Sequence, residues 1–185
     1  MKIVLLIILL FSLISCGGGS STASNIDDSN GLQNNPSITV ENCITTNQNG
    51  LKKCDLLHDN RERFYYIYTP ENLNSNQSIP VLFAFHGYGS SASRHMNYTN
   101  YMQIADENNF VVVYPQGATT PTLSAHWNVG GWTSKSTVKD IEFIETVINL
   151  IQDKIQIDQS RIYSSGMSNG GYMGYHLACN LSEKF

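Results

Sequence analysis

"RIYSSGMSNGG", residues 161–171, decides how the chain is read. A short strand-like run stops at Gly166, and Ser168 follows two residues later. Gly170 and Gly171 then open "NGGYMGYHLACNL", in which Met173, Leu177 and Leu181 recur at helical spacing. The form is G-x-S-x-G: Gly166, Met167, Ser168, Asn169, Gly170. Between a strand and a helix this pattern carries a nucleophile, here Ser168; without that setting it is only a glycine-rich turn. Glycines flank the serine because the turn is crowded, and a side chain at either one would meet the neighbouring strand or helix. The helix that follows aims its first N–H groups and the positive end of its dipole at the serine, where a developing anionic oxygen would be stabilised.

The next piece outward is "IPVLFAFHGYGSS". Val81–Phe85 is a continuous apolar run, suited to a strand buried on both faces, and it stops at "HGYG", His86–Gly89. In an α/β sheet the ligand crevice lies beyond the carboxyl ends of the strands. Both turns therefore fall at one edge of the sheet. The main-chain N–H groups of Asn169 and Tyr88 are the expected pair to hold an oxyanion, with His86 buttressing the turn; the plain reading of "HGYG" is a turn and nothing more.

The remaining elements fit the same architecture. "SITVEN" and "LKKCDLL" read as strands around "TNQNG", and "RFYYIYTP" as a strand from Arg63 to Pro70. Tyr98–Asn108 reads as one helix and Phe110–Tyr114 as a second buried strand. The long connection from Pro115 to Thr137 has no period, and both tryptophans, Trp127 and Trp132, lie in it. Val138–Gln156 reads as a helix with an apolar stripe of Ile141, Ile144, Ile148, Ile151 and Ile155, started by the T-x-x-D pair Thr137 and Asp140. Strands alternating with helices predict an α/β fold with a largely parallel central sheet and flanking helices.

At the N-terminus Lys2 precedes "IVLLIILLF". The run Ile3–Ile14 is shorter than the roughly 20 residues a membrane-spanning helix needs and has the length of a signal-peptide core. Leu13, Ile14 and Ser15 before Cys16 look like a bacterial lipobox, which predicts a lipid on Cys16 and attachment to a membrane. Gly17 after it resembles lipoproteins exported to an outer membrane. Residues 16–35, rich in Gly, Ser and Asn, read as a flexible tether, leaving 1–15 as signal peptide and 36–185 as the folded part. Hydrophobic content of 41% and charged content of 14% fit a globular protein. A formal charge of −4 without a basic run argues against a nucleic-acid partner. Cys43 and Cys54 form a candidate disulfide in an exported segment. Cys179 is expected as a small buried apolar residue. No cluster has metal-ligand spacing, and no cofactor is expected.

Taken together, "RFYYIYTP", "PVLFAFHGYGSSA", "FVVVYPQG", "HWNVGGW", "KDIEFIETVI" and "RIYSSGMSNGGYMGYHLAC" resemble, in order, secreted polyhydroxybutyrate depolymerase-like and feruloyl esterase-like enzymes of the α/β-hydrolase superfamily. The resemblance covers about Arg61 to Phe185 and implies cleavage of carboxylic esters. His126 and Trp132 stand where many relatives have cysteines around "WN", so a disulfide in that loop is not expected. In this architecture an Asp or Glu and then a His follow the serine. Of the five histidines, His58, His86, His95 and His126 precede Ser168. His176 lies on the same helix as Ser168, about 12 Å along at 1.5 Å per residue, too far to take its proton. Only Glu183 among the carboxylates follows the serine. The chain therefore reads as the N-terminal part of a larger hydrolase, truncated after the nucleophile helix, with its acid and base beyond Phe185 and no activity on its own.

The reading that results is a serine carboxylic-ester hydrolase working through an acyl-enzyme at Ser168. Its substrate would be a feruloyl or acetyl ester on polysaccharide, or a short polyester; peptidase action is a weaker alternative. The rival is a noncatalytic surface lipoprotein that binds glycan through Trp127 and Trp132, or a truncated inactive hydrolase. The anchor has a direct test. A fatty-acid probe fed to cells should tag the wild-type chain and miss Cys16→Ser, and equal labelling of the two would sink the assignment.

Overall fold

A computed structural model describes residues 40–185. The expected signal peptide, the lipid on Cys16 and the tether over residues 16–35 all lie outside the described residues. Six strands form one sheet: β1 Glu41–Thr45, β2 Leu51–His58, β3 Arg61–Tyr68, β4 Ile79–Phe85, β5 Val111–Pro115 and β6 Ile157–Gly166. Their order is β1-β2-β3-β5-β4-β6. β5, β4 and β6 run parallel, whereas β1, β2, β3 and β5 are joined by antiparallel pairings, so the sheet is mixed. The antiparallel arm follows from its turn. His58 pairs with Arg61, and Asp59 and Asn60 between them both have positive φ, at 49° and 57°. Such a two-residue loop matches the twist of a hairpin.

β4 and β5 are the buried centre. Val81, Phe83, Ala84 and Phe85 are inaccessible to solvent, as are Val111, Val112, Val113 and Tyr114. Alternate residues feed opposite faces. Phe83, Phe85, Val111 and Val113 pack with the helices α3 (Asp140–Gln152) and α4 (Asn169–Asn180). Ala84, Val112 and Tyr114 pack with α1 (Ala92–Thr99) and α2 (Tyr101–Asn108).

Several boundaries differ from the sequence reading. The single helix expected over Tyr98–Asn108 is two, because Asn100 takes a left-handed conformation (φ 51°) and its N–H closes α1 onto the Met96 carbonyl. Asparagine tolerates that conformation better than most residues. Helix α3 begins at Asp140, not Val138, and ends before Ile155. No side chain caps it. The T-x-x-D start is corrected accordingly: Asp140 points inward. Its carboxylate accepts from Arg63 Nη2 at 2.7 Å and from the Asn128 N–H at 2.7 Å. Arg63 also donates to the Gln116 carbonyl at 3.1 Å, and its guanidinium lies 3.8 Å from the centre of the Phe143 ring. Both charges are buried. Burial pushes the Arg63 pKa down, and the carboxylate opposes that shift.

Cys43 and Cys54 are direct partners in the β1–β2 register and form the expected disulfide. Cys179 is corrected: it lies on the exposed side of α4 rather than in the core. The helical face Met173, Leu177 and Leu181 is buried as its spacing implies.

Removing one half of a buried ion pair leaves the other charge unpartnered. Asp140→Ala should cost about 3–5 kcal/mol of stability, read from the midpoint of a urea titration. Pairing it with Arg63→Met should recover much of that loss. A single substitution costing under about 1 kcal/mol, within the range of ordinary surface changes, would show that the pair is not structural.

Candidate functional site

β6 ends at Gly166, and the chain turns into α4 within two residues. Ser168 occupies the turn with φ 53° and ψ −118°. A non-glycine residue held in so sparse a region carries strain of order 1–3 kcal/mol. Three main-chain bonds enforce it. Met167 N–H donates to the Phe85 carbonyl at 3.3 Å, Gly170 N–H to Met167 at 2.9 Å, and Tyr172 N–H to Ser168 at 3.0 Å. The flanking glycines are required by space. A Cβ at Gly166 would lie 2.3 Å from the Gly170 carbonyl carbon, and one at Gly170 would lie 2.2 Å from the Phe85 carbonyl oxygen. The serine side chain is exposed and makes no capping bond to its own helix.

The "HGYG" turn abuts this elbow. A Cβ at Gly87 would stand 3.7 Å from the Ser168 Cβ and 3.3 Å from the Met167 carbonyl oxygen. The structure thus brings Tyr88, Ser168 and Asn169 to one edge of the sheet. The N–H groups around them are used: Gly89 donates to Ala125 at 2.8 Å and Ser90 to Gly87 at 3.1 Å. Among the described residues, no main-chain acceptor takes the N–H of Tyr88 or Asn169.

His86 holds the turn from below. It is fully buried. Its Nε2 accepts from the Gly117 N–H at 2.9 Å and lies 3.0 Å from Gln116 Nε2. A main-chain N–H only donates, so Nε2 carries no proton. The proton is on Nδ1, which donates to the Gly87 carbonyl at 2.8 Å. Burial pushes the pKa of this imidazole down and keeps it neutral.

Trp127 completes the support, and its place counts against the rival reading. There it was a glycan contact; here it is wholly buried. Its indole N–H donates to the His86 carbonyl at 2.9 Å, and its ring meets Phe85 edge-on at 5.1 Å. The Asn169 side chain grips its backbone twice. Trp127 N–H donates to Asn169 Oδ1 at 2.8 Å, and Asn169 Nδ2 donates to the Trp127 carbonyl at 3.0 Å. Asn169 was singled out for its main chain; this second task, and the bond from Gln116 to His86, carried no signal in spacing or composition. Trp132, by contrast, is 54% exposed.

The other histidines are occupied elsewhere. His126 is buried, with Nδ1 2.9 Å from the Ser124 carbonyl oxygen and Nε2 2.8 Å from Ser136 Oγ, and this last contact ties the middle of the connection to its end. His95 is buried on α1, and His58 packs against Phe143. His176 neighbours Asn180 on α4. None of the five is hydrogen-bonded to Ser168. Two clefts, of about 460 and 410 Å³, lie beside Asp140 and His176 and beside Arg61 and Gln116; Ser168 lines neither and opens directly to solvent. Among the described residues, Glu41, Cys43 and Cys54 lie within metal-binding reach of one another, but the two sulfurs are bonded together and offer no thiolate.

Residues 96–185 match the Prolyl oligopeptidase family. Over 122 residues the chain is 31% identical to the bifunctional acetylxylan esterase/xylanase XynS20E of Neocallimastix patriciarum, covering 66% of this chain and 16% of that protein. Over another 122-residue alignment it is 34% identical to feruloyl esterase B of Thermothelomyces thermophilus, covering 65% and 40%. An S-formylglutathione hydrolase from Agrobacterium tumefaciens superimposes with a TM-score of 0.63 at 20% identity, covering 78% of this chain and 59% of that one. Acetyl xylan esterase from Aspergillus awamori gives 0.55 at 22%, covering 66% and 44%. The fold is that of the α/β-hydrolases. The chain spans 16% and 40% of the lengths of the two esterases.

The site's support is sensitive to acid. Burial lowers the pKa of His58, His86, His95 and His176 below the ordinary 6.5. As pH falls through 6.5 the unfolded chain takes up protons that the folded one refuses, so stability falls with pH in that window. Urea titrations at pH 7 and 5 should show this decline, and His86→Gln should make it shallower while lowering stability at pH 7. An unchanged decline would mean that His86 is not held neutral.

Proposed function

We propose that this chain is the nucleophile-bearing part of a serine carboxylic-ester hydrolase. The observation that carries the reading is the exposed, strained Ser168 packed beside the turn at Gly87, with the N–H groups of Tyr88 and Asn169 taken by no main-chain acceptor. Ser168 Oγ attacks the ester carbonyl. The carbonyl oxygen becomes an oxyanion and is held by the N–H groups of Tyr88 and Asn169. The C–O bond to the alcohol then breaks, leaving an acyl-serine that water hydrolyses.

The serine proton needs a base, and none of the described histidines is bonded to Ser168. A histidine and a carboxylate from sequence beyond Phe185 fill those roles in this proposal. The greater length of the esterase relatives supports it. Feruloyl or acetyl esters on plant polysaccharide are the proposed substrates, since the relatives' names are those of feruloyl and acetylxylan esterases. A short polyester is the alternative within the same chemistry. The proposal keeps the lipid on Cys16 and display at an outer membrane or cell surface. The noncatalytic rival is weakened by the burial of Trp127.

In the complete protein, Ser168→Ala should cut the rate on a small ester by up to the order of 10⁶ and leave the fold in place. Tyr88→Ala should lose far less, because alanine keeps the N–H. A fluorophosphonate probe should label wild type and spare Ser168→Ala. Retention of more than a small fraction of the rate, or labelling of another serine, would remove Ser168 from the mechanism.

A further inference from the structure

Several aromatic side chains around the elbow are exposed, Tyr172 at 60% among them, and two of these exposed rings form a pair. Tyr88 is 43% exposed and Trp132 is 54% exposed, and they touch each other. Their ring centres are 5.0 Å apart and their planes stand at 78°. Tyr88 is the residue after Gly87, which abuts Ser168, so the pair begins at the oxyanion turn itself.

The connection is built to present Trp132 outward. Thr133, next to it, is fully buried. The Thr133 hydroxyl donates to the Gly130 carbonyl at 2.8 Å and accepts from the Val129 N–H at 2.9 Å. Gly130 and Gly131, at φ 74° and 55°, take the left-handed backbone that lets the turn close around it. From the other side, the Tyr88 hydroxyl accepts from the Ser124 N–H at 3.3 Å. Both rings are therefore held in place without a ligand. The approach is open: a Cβ at Gly89, Gly130 or Gly131 would meet nothing within 4 Å.

We propose that the Tyr88–Trp132 corner is a subsite for a pyranose ring of the polysaccharide that carries the ester. This rests on the esterase reading for its choice of ligand. The openness of the corner selects the sugar over the acyl group. A half-exposed aromatic surface suits a ligand with one apolar face of C–H groups and a polar rim that stays in water. A hydroxycinnamoyl ring is apolar on both faces and would leave one of them in water there. The subsite lies on the oxyanion side of Ser168, so it sets where along a glycan chain the scissile ester is presented.

The test uses the complete protein carrying Ser168→Ala, and arabinoxylan stripped of its esters by alkali as the probe. Affinity electrophoresis should show retardation, and adding Trp132→Ala should weaken it about five- to tenfold, the size of one lost ring contact. Trp132→Phe, which keeps a ring, should retain much of the binding and guards against a folding artefact. In the catalytically intact protein, Trp132→Ala should lower the ratio of kcat/KM on acetylated xylan to that on vinyl acetate, which has no sugar and no ring, by a similar factor. No retardation of the parent, or retardation that Trp132→Ala leaves intact, overturns the subsite. Trp132-dependent binding of free ferulate without binding of the stripped polysaccharide overturns the sugar assignment in favour of the acyl group. Trp132-dependent retardation by a complete protein that cleaves no ester would sink the esterase reading and leave the subsite standing.

Discussion

The first turn of α4 lies against the end of β4 with no room for a methyl group at Gly170. That contact fixes the distance between the two turns on which any chemistry here depends. With Gly170 seated on the Phe85 and His86 carbonyls, Ser168 is forced above the sheet edge and Gly87 is brought beside it. Asn169, caught between, extends its amide to Trp127, and Trp127 returns a hydrogen bond to His86. The result is a closed circuit of short bonds through β4, the long connection and α4. Each member restrains the others, so the two turns that carry the Tyr88 and Asn169 N–H groups are held in fixed relation.

A second restraint holds this circuit to the rest of the molecule. Arg63 on β3 and Asp140 at the head of α3 meet beneath the connection, and their remaining bonds go to Gln116 and Asn128 within it. A buried ion pair contributes less net stability than its Coulomb attraction suggests, because both groups are desolvated. Its use here is positional. It pins the start and the middle of a connection that has almost no regular secondary structure yet supplies Gln116 and Trp127 to the site.

The elbow, the two buried strands and the helix α4 were legible because each has a local cause: glycines at a crowded turn, unbroken apolar runs, and one clear stripe. The disulfide was a candidate because both cysteines fall in a segment read as exported, and the β1–β2 register sets them directly opposite each other. The misreadings share the opposite character. Asp140 looked like a capping residue because its partner Arg63 lies 77 positions away, a distance at which sequence pattern carries no information. Trp127 and Trp132 looked equivalent because burial is a property of the folded loop, not of the residue type. The break at Asn100 was missed because a single left-handed residue interrupts a helix without disturbing the polarity around it.

The backbone at Ser168 sets two demands on one position against each other. At φ 53° a glycine would rest more easily than any side chain, and the relief would be of order 1–3 kcal/mol. Variation screened for thermal endurance alone should therefore drift toward glycine at position 168, gaining robustness as it discards the hydroxyl. The same codon would be improved by one criterion and emptied by the other, so endurance and chemistry would rank its variants in opposite order.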